Sequence, residues 1–134
     1  MAGATLYVCI SCRAGAADDG TPLAGARLHA ALAADPPPGV VVAPVMCLAI
    51  CGEGCSVAVT APGKWSYVYD RLTPEEAAEV RAGAAAYAAS ADGIVPWRER
   101  PPAMRKKTRA RVPPPGHVMP APAPAATEPA DVEP

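Results

Sequence analysis

The chain of 134 residues contains no Phe, two Trp and four Tyr. Any core must therefore be assembled from Leu, Val, Ile and a few placed aromatics. Hydrophobic residues make up 51% of the chain, but much of that share is Ala, which buries little area per residue. A domain of about 100 residues can fold alone on such a core without much margin. Histidine is scarce: His29 falls in a helical stretch and His117 near the C-terminal end, so no two-histidine metal site is expected. The formal net charge of −1 gives no global attraction to nucleic acid or membrane. No run reaches the ~20 apolar residues of a membrane helix. The longest, Val40 to Cys51, is interrupted by Pro44. The start, Met-Ala-Gly-Ala-Thr, lacks the basic residues of a secretory signal, and the cytoplasm is the expected location. Phosphate loops, Ser/His/Asp sets and paired carboxylates are also missing, so the chain is not expected to be an enzyme.

The residues that are present divide the chain in two. Thr5 to Ile10 is β-prone and reads as a first strand. After a polar, Gly-containing loop, Thr21-Pro22 predicts a helix start, and Leu23, Leu28 and Leu32 mark its apolar face as far as Ala34. Asp35-Pro36-Pro37-Pro38-Gly39 ends it. Val40 to Met46 reads as a buried strand, Ser56 to Thr60 as another, and Lys64 to Tyr69 as its hairpin partner across the Pro62-Gly63 turn. Thr73-Pro74-Glu75-Glu76 predicts a capping box. Ala77, Val80, Ala84, Tyr87 and Ala88 then share one helical face to about Ser90. The order β-α-β-β-β-α predicts an α/β fold, a mixed sheet with helices packed on it. The domain is expected to end near Arg100. Residues 101–134, with ten prolines and the basic run Arg105-Lys106-Lys107, Arg109 and Arg111, predict a disordered tail. Trp97-Arg98-Glu99-Arg100 is expected to be a strap that packs Trp97 against the domain, with a docking element as the alternative.

The cysteines carry the functional signal. Cys9-x-x-Cys12 and Cys47-x-x-x-Cys51-x-x-x-Cys55 each lie at or just after the end of a predicted strand. Loops leaving the carboxyl ends of parallel strands share one sheet edge, so the two groups can converge. The cytosol keeps thiols reduced, which disfavours disulfides. Four converging thiolates suit an iron–sulfur cluster or a structural zinc. Paired two-residue spacings with a shorter insert are the usual zinc pattern. Here the second spacing is three, and a whole helix and strand separate the groups. A catalytic dithiol at Cys9 and Cys12 would want a helix N-terminus directly behind it, but Thr21-Pro22 lies nine positions on. Simple burial of five cysteines in two tight groups is the remaining alternative.

Met46-Cys47-Leu48-Ala49-Ile50-Cys51 with Gly54, then Pro62-Gly63-Lys64-Trp65 and Leu72-Thr73-Pro74-Glu75, resembles the thioredoxin-like [2Fe–2S] ferredoxins. A closer resemblance is to a family of uncharacterised bacterial proteins described as predicted metal-binding. It rests on Val8-Cys9, Cys12-Arg13, the Cys-x-x-x-Cys-x-x-Gly-Cys loop, Gly63-Lys64-Trp65 and Asp92-Gly93-Ile94-Val95-Pro96-Trp97-Arg98-Glu99-Arg100-Pro101, and spans roughly Thr5 to Pro113. The resemblance implies a thioredoxin-like fold. It also implies a [2Fe–2S] cluster on Cys9, Cys12, Cys47 and Cys51, and electron transfer to a redox partner protein. Cys55 is left as a spare thiol, a fifth or substitute ligand. Ala49 stands where the ferredoxin loop commonly has Gly. The closer family's association with cobalamin or cobalt handling implies the alternative, a module that holds zinc or cobalt.

Overall fold

In β1 (Ala4–Cys9), Ala4, Leu6 and Val8 are buried while Thr5 and Tyr7 between them are half-buried. That is the alternation of a strand with helices on one face only. The structure, a computed structural model, describes residues 3–11, 23–50 and 54–118. The polypeptide continues through α1 (Ala24–Ala34), β2 (Val40–Val45), β3 (Cys55–Thr60), β4 (Ser66–Leu72), α2 (Ala77–Ala89), the short α3 (Pro102–Arg105) and β5 (Thr108–Val112). The strands form one mixed sheet in the order β2-β1-β3-β4-β5. β1 and β2 are parallel, with Cys9 opposite Val45. β3 is antiparallel to β1, with Val8 opposite Val57. The β3–β4 hairpin pairs Val57 with Tyr69 and Cys55 with Leu72. β5 closes on β4, with Tyr69 opposite Thr108.

Leu6, Val8, Val57, Val59, Tyr67 and Tyr69 bury against Leu28 and Leu32 of α1 and Val80, Ala84 and Tyr87 of α2. The expected face of α2 is thus the buried one, and the expected Thr73-Pro74 start is present: Thr73 N–H donates to Glu76 Oε1 at 2.9 Å. A single turn of 3₁₀-helix, Pro74–Glu76, precedes α2. The Thr21-Pro22 helix start lies outside the described residues. The Gly63-Lys64-Trp65 motif is explained by packing. Gly63 turns at φ 74°. Lys64 Nζ donates to Ala88 O at 2.9 Å, placing a cation at the C-terminal end of α2. Trp65 O accepts the Tyr87 hydroxyl.

Two expectations are corrected. β2 is an edge strand and not a buried one: Val40 is buried, but Val41 is 49% exposed. Pro44 suits such an edge, because its missing N–H removes no ladder bond there. The domain does not end at Arg100. Residues 101–112 supply α3 and β5, and Met104 packs at 2% exposure against the core. The "tail" is held by main-chain pairing and ion pairs, not by an apolar face, and composition does not report such bonds. Asp70, fully buried in β4, takes Arg71 Nε at 2.9 Å and Arg109 at 3.2 Å. Lys107 pairs with Glu76 at 2.8 Å. His117 reaches back to Trp65, ring centroids 5.2 Å apart. Trp97 sits in the expected strap, but it is 56% exposed and covered on one side by the Arg105 guanidinium at 4.9 Å. Residues 119–134 lie outside the described residues.

Candidate metal centre

The sheet order brings the cysteine loops to one edge. β1 and β2 run parallel and end there, and β3, antiparallel to β1, begins there. Cys9 closes β1, Cys47 lies two residues beyond β2, and Cys55 opens β3. Ile10 N–H donates to Val45 O at 2.9 Å, extending the parallel ladder to the edge of the site. Two further predicted ligands, Cys12 and Cys51, lie outside the described residues.

Cys9 is 1% exposed, and its sulfur sits among polar groups. Ser11 Oγ lies 3.4 Å from Sγ, and the thiol reaches Met46 O at 3.6 Å. Ser11 Oγ also donates to Met46 O, which pins the β1 exit to the β2 exit. Burial by itself pushes the Cys9 thiol up. The Ser11 hydroxyl and amide, the Leu48 amide and the Ser56 hydroxyl outweigh it and hold the thiol below its ordinary value. Extending the antiparallel register by one residue sets Ser56, itself 1% exposed, across from Cys9.

Cys47 is exposed and receives the Ala49 amide at 3.1 Å. That bond requires a tight loop, and Ala49 adopts φ 66° to make it. This left-handed conformation is where glycine is favoured. Cys55 is fully buried in the core at the start of β3, opposite Leu72. Gly25, in the first turn of α1, crosses directly over the end of β1: a Cβ there would stand 2.0 Å from Cys9 O.

Among the described residues no group of three or more His, Cys, Asp or Glu side chains is gathered as a metal site. What those residues do show is a donor chemistry suited to one. Amide and hydroxyl donors around the Cys9 sulfur favour its thiolate, the form that ligates metal, against the effect of burial. Hydrogen bonds to sulfur are also a main means of tuning an iron–sulfur centre. Ser11 and Ser56 did not stand out in the sequence. The register of β3 on β1 is the signal that would have found Ser56. His29, on α1, is not drawn into the site.

Among the described residues, no helix is long and apolar enough to cross a membrane. Comparison with the curated proteins finds no match. Among solved structures, the chain is similar to a thioredoxin-like [2Fe–2S] ferredoxin from Aquifex aeolicus, at 18% identity and a TM-score of 0.50, covering 88% of this chain and 100% of that one. The likeness, together with the mixed sheet and its helices, shows a thioredoxin-like fold. A family model matches residues 6–114, and the chain belongs to that family, described as "Protein of unknown function (DUF1636)".

Proposed function

We propose that the protein is a small electron carrier that holds a [2Fe–2S] cluster on Cys9, Cys12, Cys47 and Cys51. The observation that carries this reading is the arrival at one sheet edge of two sulfurs from different loops, each met by hydrogen-bond donors. Cys9 is held toward the thiolate by hydrogen-bond donors, and Cys47 accepts an amide from a loop bent into the conformation that glycine usually takes. When bound, such a cluster supplies one-electron transfer at a potential set by charge, exposure and hydrogen bonds to sulfur. The chain's own residues do the rest. Ser11, Leu48 and Ser56 stabilise negative charge on Cys9. The Ala49 amide donates to Cys47, and the exposure of Cys47 leaves this side of the site open to a partner. Cys55, buried in the core, is read as a neighbour of the site and not as one of its ligands. A reducing cytoplasm fits these thiols, and no residue is assigned a catalytic role.

The test is composition. Protein prepared without oxygen should be red-brown, with about two irons and two sulfides per chain, and should show a signal of one unpaired electron after reduction. Colourless protein carrying one zinc or cobalt would replace the carrier reading with the metal-handling one.

A further inference from the structure

The edge that carries the cysteines also carries a rim of cations. β4 ends there and β5 begins there, as the pairs Cys55–Leu72 and Tyr69–Thr108 require. Arg71, Lys106 and Arg109 are therefore brought beside the cysteine loops, although 35 residues separate the first two in sequence. The contact with the second loop is direct: a Cβ on Gly54 would stand 3.0 Å from Arg71 Cα. With strands about 4.8 Å apart, β4 lies on the order of 10 Å from β1 and β5 about 14 Å. Both distances exceed the screening length of about 8 Å at physiological salt and lie within that of about 30 Å at 0.01 M, so the rim acts on the cysteines chiefly at low salt.

Arg71 occupies an unusual place. The β3–β4 register shifts between Cys55 and Val57, and Arg71 takes φ 57° at that bulge. Glycine is the ordinary occupant of such a conformation, and here the position carries a long cationic side chain at the end of β4. Its guanidinium is fixed at the edge by Asp70 Oδ1 at 2.9 Å and Lys106 O at 2.8 Å. Arg109 is fixed from the other side of the same carboxylate. Asp70 has no exposure, whereas the two arginine side chains are about half exposed, at 49% and 51%. The pairing therefore hides the negative charge and displays the positive ones. Lys106 is exposed, and Glu75 is the exposed carboxylate on the neighbouring turn. Residues 101–118 contain five cations and no carboxylate. At the opposite end of this edge Met46 is 71% exposed, next to exposed Cys47.

We propose that this edge is a docking surface for an acidic redox protein, with Arg71, Lys106 and Arg109 as the cations that meet its carboxylates and Met46 as the apolar contact beside the cysteines. The proposal deepens the carrier reading and rests on it. Complementary charge at such a surface acts mainly on the rate and orientation of encounter.

The reduced holoprotein is mixed in a stopped-flow instrument with an acidic b-type cytochrome and, separately, with a basic c-type cytochrome. Raising salt from about 20 mM to about 500 mM should slow the acidic acceptor at least tenfold and leave the basic one unslowed. Lys106→Glu should slow the acidic acceptor about tenfold at low salt without slowing the basic one, and Arg71→Gly should do likewise. Lys64→Glu, at the turn on the far end of the β3–β4 hairpin, should change neither rate by more than about twofold. Equal salt slopes for the two acceptors, or a Lys64→Glu effect as large as that of Lys106→Glu, would overturn the proposal. A cluster-independent arm separates it from the carrier reading. A ¹⁵N NMR titration of the protein as purified, whatever metal it holds, with the acidic cytochrome should shift residues 46, 71, 106 and 109. Shifts elsewhere, or displacement of the cytochrome by an equal concentration of single-stranded oligo-dT, would assign the rim another role and refute docking. Colourless protein would refute the cluster alone.

Discussion

Replacing Gly25 by Ala is the smallest perturbation that reaches the candidate site. On helix propensity alone the change should stabilise α1 by up to about 1 kcal/mol, because Gly is a poor helix former. The local geometry opposes that gain. The new Cβ would lie 2.0 Å from Cys9 O, 3.1 Å from Cys9 C and 3.3 Å from Ile10 Cα, all backbone atoms at the exit of β1. Relief requires a movement of roughly 1 Å or more between helix and strand, and overpacking of this kind costs about 1–3 kcal/mol. For a domain of this size that corresponds to a fall in Tm of about 4–8 °C per kcal/mol. Because the displaced backbone carries Cys9, iron content after anaerobic preparation should fall as well. Gly83→Ala on α2 is the matched control: its Cβ would meet the sulfur of Met104 at 2.3 Å, the movable end of a flexible side chain. That variant should lose less than about 1 kcal/mol, since the Met tip can move and helix propensity improves. Circular dichroism melts of both variants and iron analysis decide the matter. Gly25→Ala melting at or above the parent temperature would refute the close packing of α1 on the end of β1.

Cys9→Ser should abolish or strongly shift the visible spectrum while Cys55→Ser keeps most of the iron; loss of iron in Cys55→Ser with retention in Cys12→Ser would move the ligand set to Cys9, Cys47, Cys51 and Cys55. Ser56→Ala should raise the Cys9 thiol pKa in the metal-free protein, read as a slower alkylation rate at neutral pH, because one donor to the sulfur is removed. Asp70→Ala should cost about 2 kcal/mol, less than for a fully buried pair because both arginines can rehydrate, and should open residues 105–112 to protease. Burial, reinforced by neighbouring Tyr67, raises Tyr69 and Tyr87 to about 12, so their contribution is intact below about pH 10 and is lost as pH climbs through about 12; an alkaline melt series should show stability falling over that window. Glu76 acts in the opposite direction. Burial raises its pKa, but Lys107 and the Thr73 amide outweigh that and hold it below its ordinary value, so its contribution is present above the usual carboxylate range and disappears as pH falls through the lowered value.

Local chemistry made much of this legible. β1, β3, β4 and α2 were announced by alternation, turn residues and Thr73-Pro74, and they appear within one or two residues of where those signals put them, apart from the end of β4 at Leu72 and the start of α2 after its 3₁₀ turn. That the exits of β1 and β2, which precede Cys12 and Cys47, share one sheet edge followed from β-α-β order alone. What escaped was tertiary. β5, Thr-Arg-Ala-Arg-Val, sets Ala110 and Val112 on the face opposite Arg109 and Arg111, but that small apolar face is not buried, and four of the five residues are exposed. Only its partner strand and buried Asp70 define it. β2 looked like an interior strand because Val40-Val41-Val42 is apolar, yet nothing pairs with its outer side among the described residues. Cys9 and Ser56 meet through register, which composition does not carry.

The position of Pro44 bears on how the protein behaves when crowded. Ile10 N–H reaches Val45 O, so the main-chain groups of Val45 point inward to β1 and those of Pro44, one residue earlier, point out to water. A strand from another molecule approaching along β2 would find a carbonyl there but no amide hydrogen. Its ladder would break before the cysteine loop, and the opposite border of the sheet ends in Arg109 and Arg111. Both borders thus resist templated growth into stacked aggregates, so a protein built on a thin core is protected from edge-to-edge association without covering its cysteine edge.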